Sequence, residues 1–317
     1  MNDFFHHIYA NGALLVMWGA LIIHTLLPLP REAHPATLWH KFAEQLANKV
    51  NNNSSYTQRQ LSGTLAMLLM MLPLLAVLIA LKPLVWKPEL FNLALLLLAI
   101  DWRNTDKFTF QFTHALAQQH KPHAKQLITP WLNRETQALS PLGLGKAGAE
   151  TLIMGYGRNV IGVLFWYGVG GGIGAISYRL LVELARAWSP SRSRFLPFGL
   201  AVIKVLAVMD YLPLKLYALM ISLGHRTSNI WHAIRQQSSS WPLPGPAWLL
   251  ISVGSKLELS LGGPAIYDDK KTVRAKLGGR IAPSAIHLAQ VRRLLIWRAA
   301  IWVVIQSLVM GLIYQGV

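Results

Sequence analysis

Apolar residues gather in six segments along the chain: approximately Ile8–Leu27, Gly63–Leu81, Leu90–Ile100, Asn159–Leu181, Phe198–Leu223 and Leu294–Tyr314. A helix needs about 20 predominantly apolar residues to cross a bilayer. Most of these segments reach that length. The third is short and extends back through Trp86 to Pro83, so its span is read as 83–100, with Lys82 and Lys87 flanking the tight connection that makes a hairpin of segments two and three. The pattern predicts an all-α, polytopic integral membrane protein forming a single membrane domain over residues 1–317. Residues 1–7 contain no Lys or Arg, unlike the positive start of a signal peptide, so the first segment is expected to be a retained span.

The polar stretches between the segments are basic. Residues 31–61 hold Arg31, Lys41, Lys49 and Arg59; residues 101–150 hold Arg103, Lys107, Lys121, Lys125, Arg134 and Lys146; residues 224–293 hold ten basic residues. The positive-inside rule places all three loops in the cytoplasm and both termini outside, and the protein is expected in the inner membrane. Arg179, Arg186, Arg192 and Arg194 break the rule, because a simple six-span topology puts them outside. An interrupted or re-entrant course for segments four and five resolves this, since irregular backbone is tolerated where protein buries it. The polar parts read as helical rather than β. Residues 114–131 form a loose amphipathic pattern interrupted at Pro122, and residues 285–298 carry an apolar set of Ile286, Leu288, Val291, Leu294 and Leu295. No internal repeat is evident.

Composition sharpens this picture. The chain is 53% hydrophobic and only 14% charged, against about 25% charged in soluble domains. Its net charge of +17 would suggest nucleic acid in a soluble protein. Beside apolar spans the charge is better matched to anionic lipid head groups, and no nucleic-acid partner is expected. The absence of Cys excludes disulfides, thiolate metal sites and cysteine nucleophiles.

Four features could carry chemistry. The run Leu164–Gly174 contains Gly170-x-x-x-Gly174, a spacing that lets helix backbones approach closely in lipid. Lys204, Asp210 and Lys215 are ionisable residues inside an apolar segment, where a charge usually faces a partner or a water-filled cavity. Gly262-Gly263-Pro264 is a turn whose amides can approach an anion, with Lys270, Lys271 and Arg274 nearby. His6-His7 and His120-x-x-His123 lack carboxylate or Cys partners at ligand spacing, so no metal site is expected. There is no G-x-x-x-x-G-K-[ST] nucleotide loop.

Several of these residues stand in a wider pattern. Glu150-Thr151, Leu164-Phe165-Trp166-Tyr167, Gly170-Gly171, Gly174-Ala175, Tyr178, Phe198-Gly199, Leu212-Pro213 and Leu216 resemble, in register, the CobD/CbiB family of cobalamin-biosynthesis membrane proteins. His34-Pro35 is similar to that family's early His-Pro, and Asn133-Arg134-Glu135-Thr136 to its Gly-Arg-Asp-Thr. Gly262-Gly263-Pro264-Ala265 with Tyr267, Arg274 and Gly278 resembles its most specific signature. The resemblance covers about residues 30–280 and implies attachment of aminopropanol phosphate, or ethanolamine phosphate, to adenosylcobyric acid, giving adenosylcobinamide phosphate. It implies ATP and Mg²⁺ as co-substrates without a tightly bound cofactor. Beside the bilayer, its partners would be the corrinoid, the amino-alcohol phosphate and other cobalamin-assembly membrane proteins.

The chain departs from the family at its acids. The family's Glu-Asn-x-x-Asp reads Met154-Gly155 and then Arg158; its later Asn and Asp read Val182 and Ala185; its paired Asp reads Leu206-Ala207. Glu150 and Asp210 are left as the candidate catalytic acids. Arg134, Lys204, Lys215 and Arg274 are the expected contacts to phosphate or carboxylate, with Tyr267 beside them and the amides of Gly262 and Gly263 facing the anion. None of these is expected to hold a metal. An alternative comes from the AmpE family, whose Asp-Trp-x-Pro-x-Arg-Leu resembles Asp210-Tyr211-Leu212-Pro213-Leu214-Lys215-Leu216. That likeness implies a non-catalytic membrane signalling protein that has lost the acids.

Overall fold

A computed structural model describes residues 12–26, 35–52, 55–268 and 270–313. His6, His7, Arg31, His34, Tyr314 and the start of the first apolar segment lie outside the described residues. The described chain is helical almost throughout. Among the described residues four helical stretches are long and apolar enough to cross a membrane: Tyr56–Leu84, Pro141–Ala187, Leu200–Ser222 and Ala285–Leu312. The shorter apolar helices α1 (Gly12–Leu26) and α4 (Pro88–Ala99) pack on each other. Between α1 and α4 come α2 (Pro35–Val50) and α3 (Tyr56–Leu81). Serine starts α3, where Ser55 and Gln58 form a reciprocal capping box that satisfies two otherwise orphaned donors. The protein-facing side of α3 is small, with Gly63, Ala66 and Met67 buried, while Leu65, Leu69 and Leu72 are exposed. In an aqueous protein such a surface would be unstable; here it is the surface that lipid covers.

After α5 (Trp102–Ala117) and α6 (Lys121–Ile128) comes the central rod. Pro122 stands in the first turn of α6, where its missing N–H costs nothing, so it starts a helix instead of interrupting one. The rod comprises α7 (Pro141–Tyr156), a π-helical turn at Gly157–Gly162 and α8 (Val163–Ala187). Segment four is thus the middle of a longer helical stretch, interrupted at Gly170–Gly171, where Gly171 takes φ +61° and ψ −154°. Only glycine adopts that conformation without strain. The break frees the amide of Gly172, which donates to Asn92 Oδ1 of α4 at 2.9 Å. The packing role expected for Gly170 is therefore corrected: a side chain there would meet nothing within 4 Å, and Gly170 serves the break, not a helix crossing.

The remaining helices are α9 (Leu200–Ser222), α10 (Thr227–Gln237), α11 (Pro244–Lys256) and α12 (Ala285–Ile313). Val202, Leu206, Asp210, Leu214 and Tyr217 form one buried stripe of α9, which packs extensively on α11. The expectation of purely helical loops fails between α11 and α12. There β1 (Ser260–Gly262) pairs with β4 (Lys276–Gly278), and β2 (Ala265–Tyr267) pairs with β3 (Lys270–Thr272), both antiparallel. The result is a nested hairpin bent at Gly262–Gly263, where φ is +68° and +93°. Leu261 and Leu277 bury its base against α11. At its tip, Asp268 accepts hydrogen bonds from the Ser193 amide and hydroxyl, both at 2.6 Å, tying it to the α8–α9 connection.

Candidate functional site

Glu150, near the end of α7, is the hub that holds the hairpin. Its carboxylate accepts from the Gly262 amide at 2.8 Å, from both terminal nitrogens of Arg274 at 3.2 Å, and from Arg134 at 3.5 Å. Arg274 also donates to the Gly263 carbonyl at 3.1 Å and stacks on the Trp241 ring. Tyr267 lies beside Arg134, whose guanidinium pKa is lowered first by burial. Glu150, Arg134, Gly262, Gly263, Tyr267 and Arg274 thus come together in one cluster. The anion that the Gly262 amide meets is Glu150, and the Gly263 amide donates to the Ala275 carbonyl. Two guanidiniums and a backbone amide thus surround the carboxylate. Glu150 is a clamp.

Asp210 is equally committed. It is 0% exposed and accepts from Tyr178 Oη at 2.6 Å and from Arg158 Nη2 and Nε at 2.7 and 2.9 Å. Tyr178 reaches it because Gly162, in the π turn, leaves room for the phenol ring. Lys204 is exposed on another face of α9. Lys215 sits over the Tyr211 and Trp248 rings, 3.8 and 4.5 Å from their centroids. The cation–π contacts satisfy Lys215 where it stands. Neither lysine is brought to the carboxylate of Glu150 or of Asp210.

The large cavity lies beside these two clusters and is lined by residues that sequence reasoning did not select. It has a volume of about 730 Å³. Amphipathic α2 supplies His40, Lys41 and Glu44; the start of α5 supplies Asp101 and Asn104; α7 and the π turn supply Thr151, Met154, Arg158 and Asn159; α8 and its following loop supply Arg179, Glu183, Arg186 and Arg192. Helix α2 is pinned onto α8 by two indoles, Trp39 donating to the Leu180 carbonyl at 3.1 Å and Trp188 to that of Ala43 at 2.9 Å. Arg179, 4% exposed, bridges Glu183 at 2.9 Å and Asp101 at 3.3 Å, while its Nε and Nη1 have no hydrogen-bond partner. Arg186 donates to the Pro130 carbonyl. Burial lowers the pKa of His40 and of Arg192, overcoming the opposing field of Glu44 in both cases. Five cationic side chains face three carboxylates in this cavity, one of the cations, Arg158, already paired with Asp210. One signal was available: Arg179, Arg186 and Arg192 are among the arginines that broke the positive-inside rule.

A divalent metal does not fit the acids present. Among the described residues no group of three His, Cys, Asp or Glu side chains could hold one. Glu150 and Asp210 are saturated by guanidiniums, and Asp101 and Glu183 share that of Arg179. Mg²⁺ prefers one or two free carboxylates together with substrate phosphate.

Fold and site together define a class: a polytopic all-α membrane protein whose central broken helix carries an arginine-rich cavity. The family model described as CobD/Cbib protein matches residues 17–295, and the chain belongs to that family. It is similar to the cobalamin biosynthesis protein CobD of Stutzerimonas stutzeri (strain A1501), 29% identical over 93% of this chain and 97% of the relative. The CobD protein of Chromobacterium violaceum is 29% identical over 87% of this chain and 89% of its own length. That of Leptospira interrogans is 25% identical over 82% and 87%. No solved structure matches the chain. Of the positions at which the chain departs from the pattern set out above, Met154, Gly155, Arg158 and Val182 line the cavity, whereas Ala185, Leu206 and Ala207 do not.

Proposed function

We propose that this membrane protein acts in cobalamin biosynthesis, attaching aminopropanol phosphate, or ethanolamine phosphate, to adenosylcobyric acid to give adenosylcobinamide phosphate. The observation that carries the reading is the arginine-rich cavity in a chain matching the CobD/CbiB family over residues 17–295. Arg158, Arg179, Arg186 and Arg192 offer planar donors suited to a phosphate monoester. The amine of the same molecule would then lie toward Asp101, whose Oδ1 is buried without a hydrogen-bond partner. Amide formation joins that amine to a corrinoid carboxyl group whose leaving oxygen departs with an activating phosphoryl group from ATP. ATP enters as a co-substrate, and no step is assigned to a protein-held metal. Glu150 and Asp210 act in this reading as positioning residues, one holding the hairpin and the other orienting Arg158.

The protein sits in the inner membrane with its basic loops in the cytoplasm, where corrinoid, amino-alcohol phosphate and other cobalamin-assembly membrane proteins meet it. The AmpE-type signalling alternative is not favoured, because the matching relatives carry the cobalamin name. Complementation tests the reading. A strain lacking its CobD/CbiB gene should regain growth on adenosylcobyric acid when it expresses this chain, and failure of a well-expressed protein to restore growth would reject it.

A further inference from the structure

The cavity's electrostatics say more than that an anion binds. Arg179 lies between two carboxylates, 3.3 Å from Asp101 and 2.9 Å from Glu183, in the place a cation bridging them would occupy. Its Nε and Nη1 are buried and have no hydrogen-bond partner. A buried, unpartnered guanidinium N–H calls for an acceptor that the protein itself does not supply. Arg158 spends Nε and Nη2 on Asp210, while its side chain stays 22% exposed and lines the same cavity. Arg192, from the loop after α8, likewise has an unpartnered Nε. Guanidiniums from α8, from the π turn and from the α8–α9 connection therefore line one cavity.

We propose that this cavity binds a phosphate monoester directly on the guanidiniums of Arg158, Arg179 and Arg192, without a divalent cation, Arg179 serving as the fixed cation between Asp101 and Glu183. The proposal rests on the functional reading only for the identity of the phosphate ester. Direct recognition follows from two facts. A guanidinium makes charge-assisted, paired hydrogen bonds to phosphate oxygens that need no metal between them. A divalent cation placed at Asp101 and Glu183 would also have to displace Arg179 or lie against its charge, in a cavity that already holds Lys41 and Arg186.

The test is isothermal titration calorimetry of the full chain in detergent, with aminopropanol phosphate as titrant, once in excess EDTA and once in excess Mg²⁺. Affinity should agree within about threefold between the two, a difference well below one charge-assisted contact. Arg192→Gln, a loop substitution that leaves both buried ion-pair clusters intact, should weaken binding about tenfold or more in EDTA. Arg179→Lys keeps the charge but not the paired donors, and should also weaken binding while leaving the unfolding midpoint near that of the parent. Heat that appears only with Mg²⁺ would overturn direct recognition while leaving the corrinoid reading intact, since that reading stands or falls on complementation. Parental affinity in Arg192→Gln and Arg179→Lys together would overturn the assignment of the donors. Saturation by phosphatidylglycerol micelles with no response to aminopropanol phosphate would overturn it in favour of a lipid head group.

Discussion

Replacing Asp210 by Asn should destabilise the protein severely, and the structure gives the size of the effect. Asp210 is 0% exposed and accepts hydrogen bonds from Tyr178 Oη and from Arg158 Nε and Nη2. In Asp210→Asn the carbonyl oxygen can keep Tyr178, but the amide nitrogen then points two hydrogens at the guanidinium. The Arg158 charge is left without a counter-ion in a partly buried position. Breaking a buried pair from one side costs about 3–5 kcal/mol. At this chain length roughly 2 °C of midpoint corresponds to 1 kcal/mol, so the apparent unfolding midpoint in detergent should fall by about 6–10 °C. Pairing the change with Arg158→Gln restores a neutral amide–amide contact, and the two substitutions should couple by about 1–3 kcal/mol. Scanning fluorimetry on the parent, both single variants and the double variant closes the cycle. A single variant within about 2 °C of the parent, or strict additivity, would refute the claim that Asp210 is a buried structural partner of Arg158.

Three further outcomes follow. Glu150→Gln should release the hairpin at 260–278, because it takes the carboxylate from between Arg134 and Arg274; protease cleavage within the hairpin should accelerate, and unchanged protection with lost turnover would instead make Glu150 catalytic. Gly162→Ala would put a methyl group 2.4 Å from the Tyr178 ring and hydroxyl, forcing the phenol off Asp210 at a cost of about 1–3 kcal/mol, readable as a lower midpoint. His40 has its folded pKa lowered by burial, against the raising fields of Glu44 and Glu183 and with those of Arg186 and Arg192. The native state therefore takes up its proton less readily than the unfolded state, and stability is lost as pH falls through about 6.5 and below. The midpoint should drop between about pH 7.5 and about pH 5.5, by less in His40→Gln than in the parent; equal drops would refute this role.

Much of the scaffold is legible in the hydrophobic pattern, because bilayer length and helix periodicity act locally. The strands at 260–278 escaped it because each is three residues long, too short for alternation to register, and the bend between them meets Glu150, far upstream in the chain. Asp210 was visible as a charge in an apolar segment, but its partner Arg158 is 52 residues away and only the folded chain joins them. Lys204 and Lys215 could have been separated from Asp210 by geometry alone. At 100° per residue they lie about 120° and about 140° around the helix from it. The cavity was the least legible feature. It takes residues from α2, α5, the π turn and the α8–α9 loop, and its arginines showed in the sequence only as charges on the wrong side of a topology rule.

The most direct measurement is product formation by purified full-length protein given adenosylcobyric acid, aminopropanol phosphate, ATP and Mg²⁺, followed by chromatography of the corrinoids. Adenosylcobinamide phosphate should appear with the parent and fall sharply with Arg192→Gln at low aminopropanol phosphate, recovering as that substrate is raised. A folded protein that yields no phosphorylated cobinamide under any of these conditions would contradict the assignment.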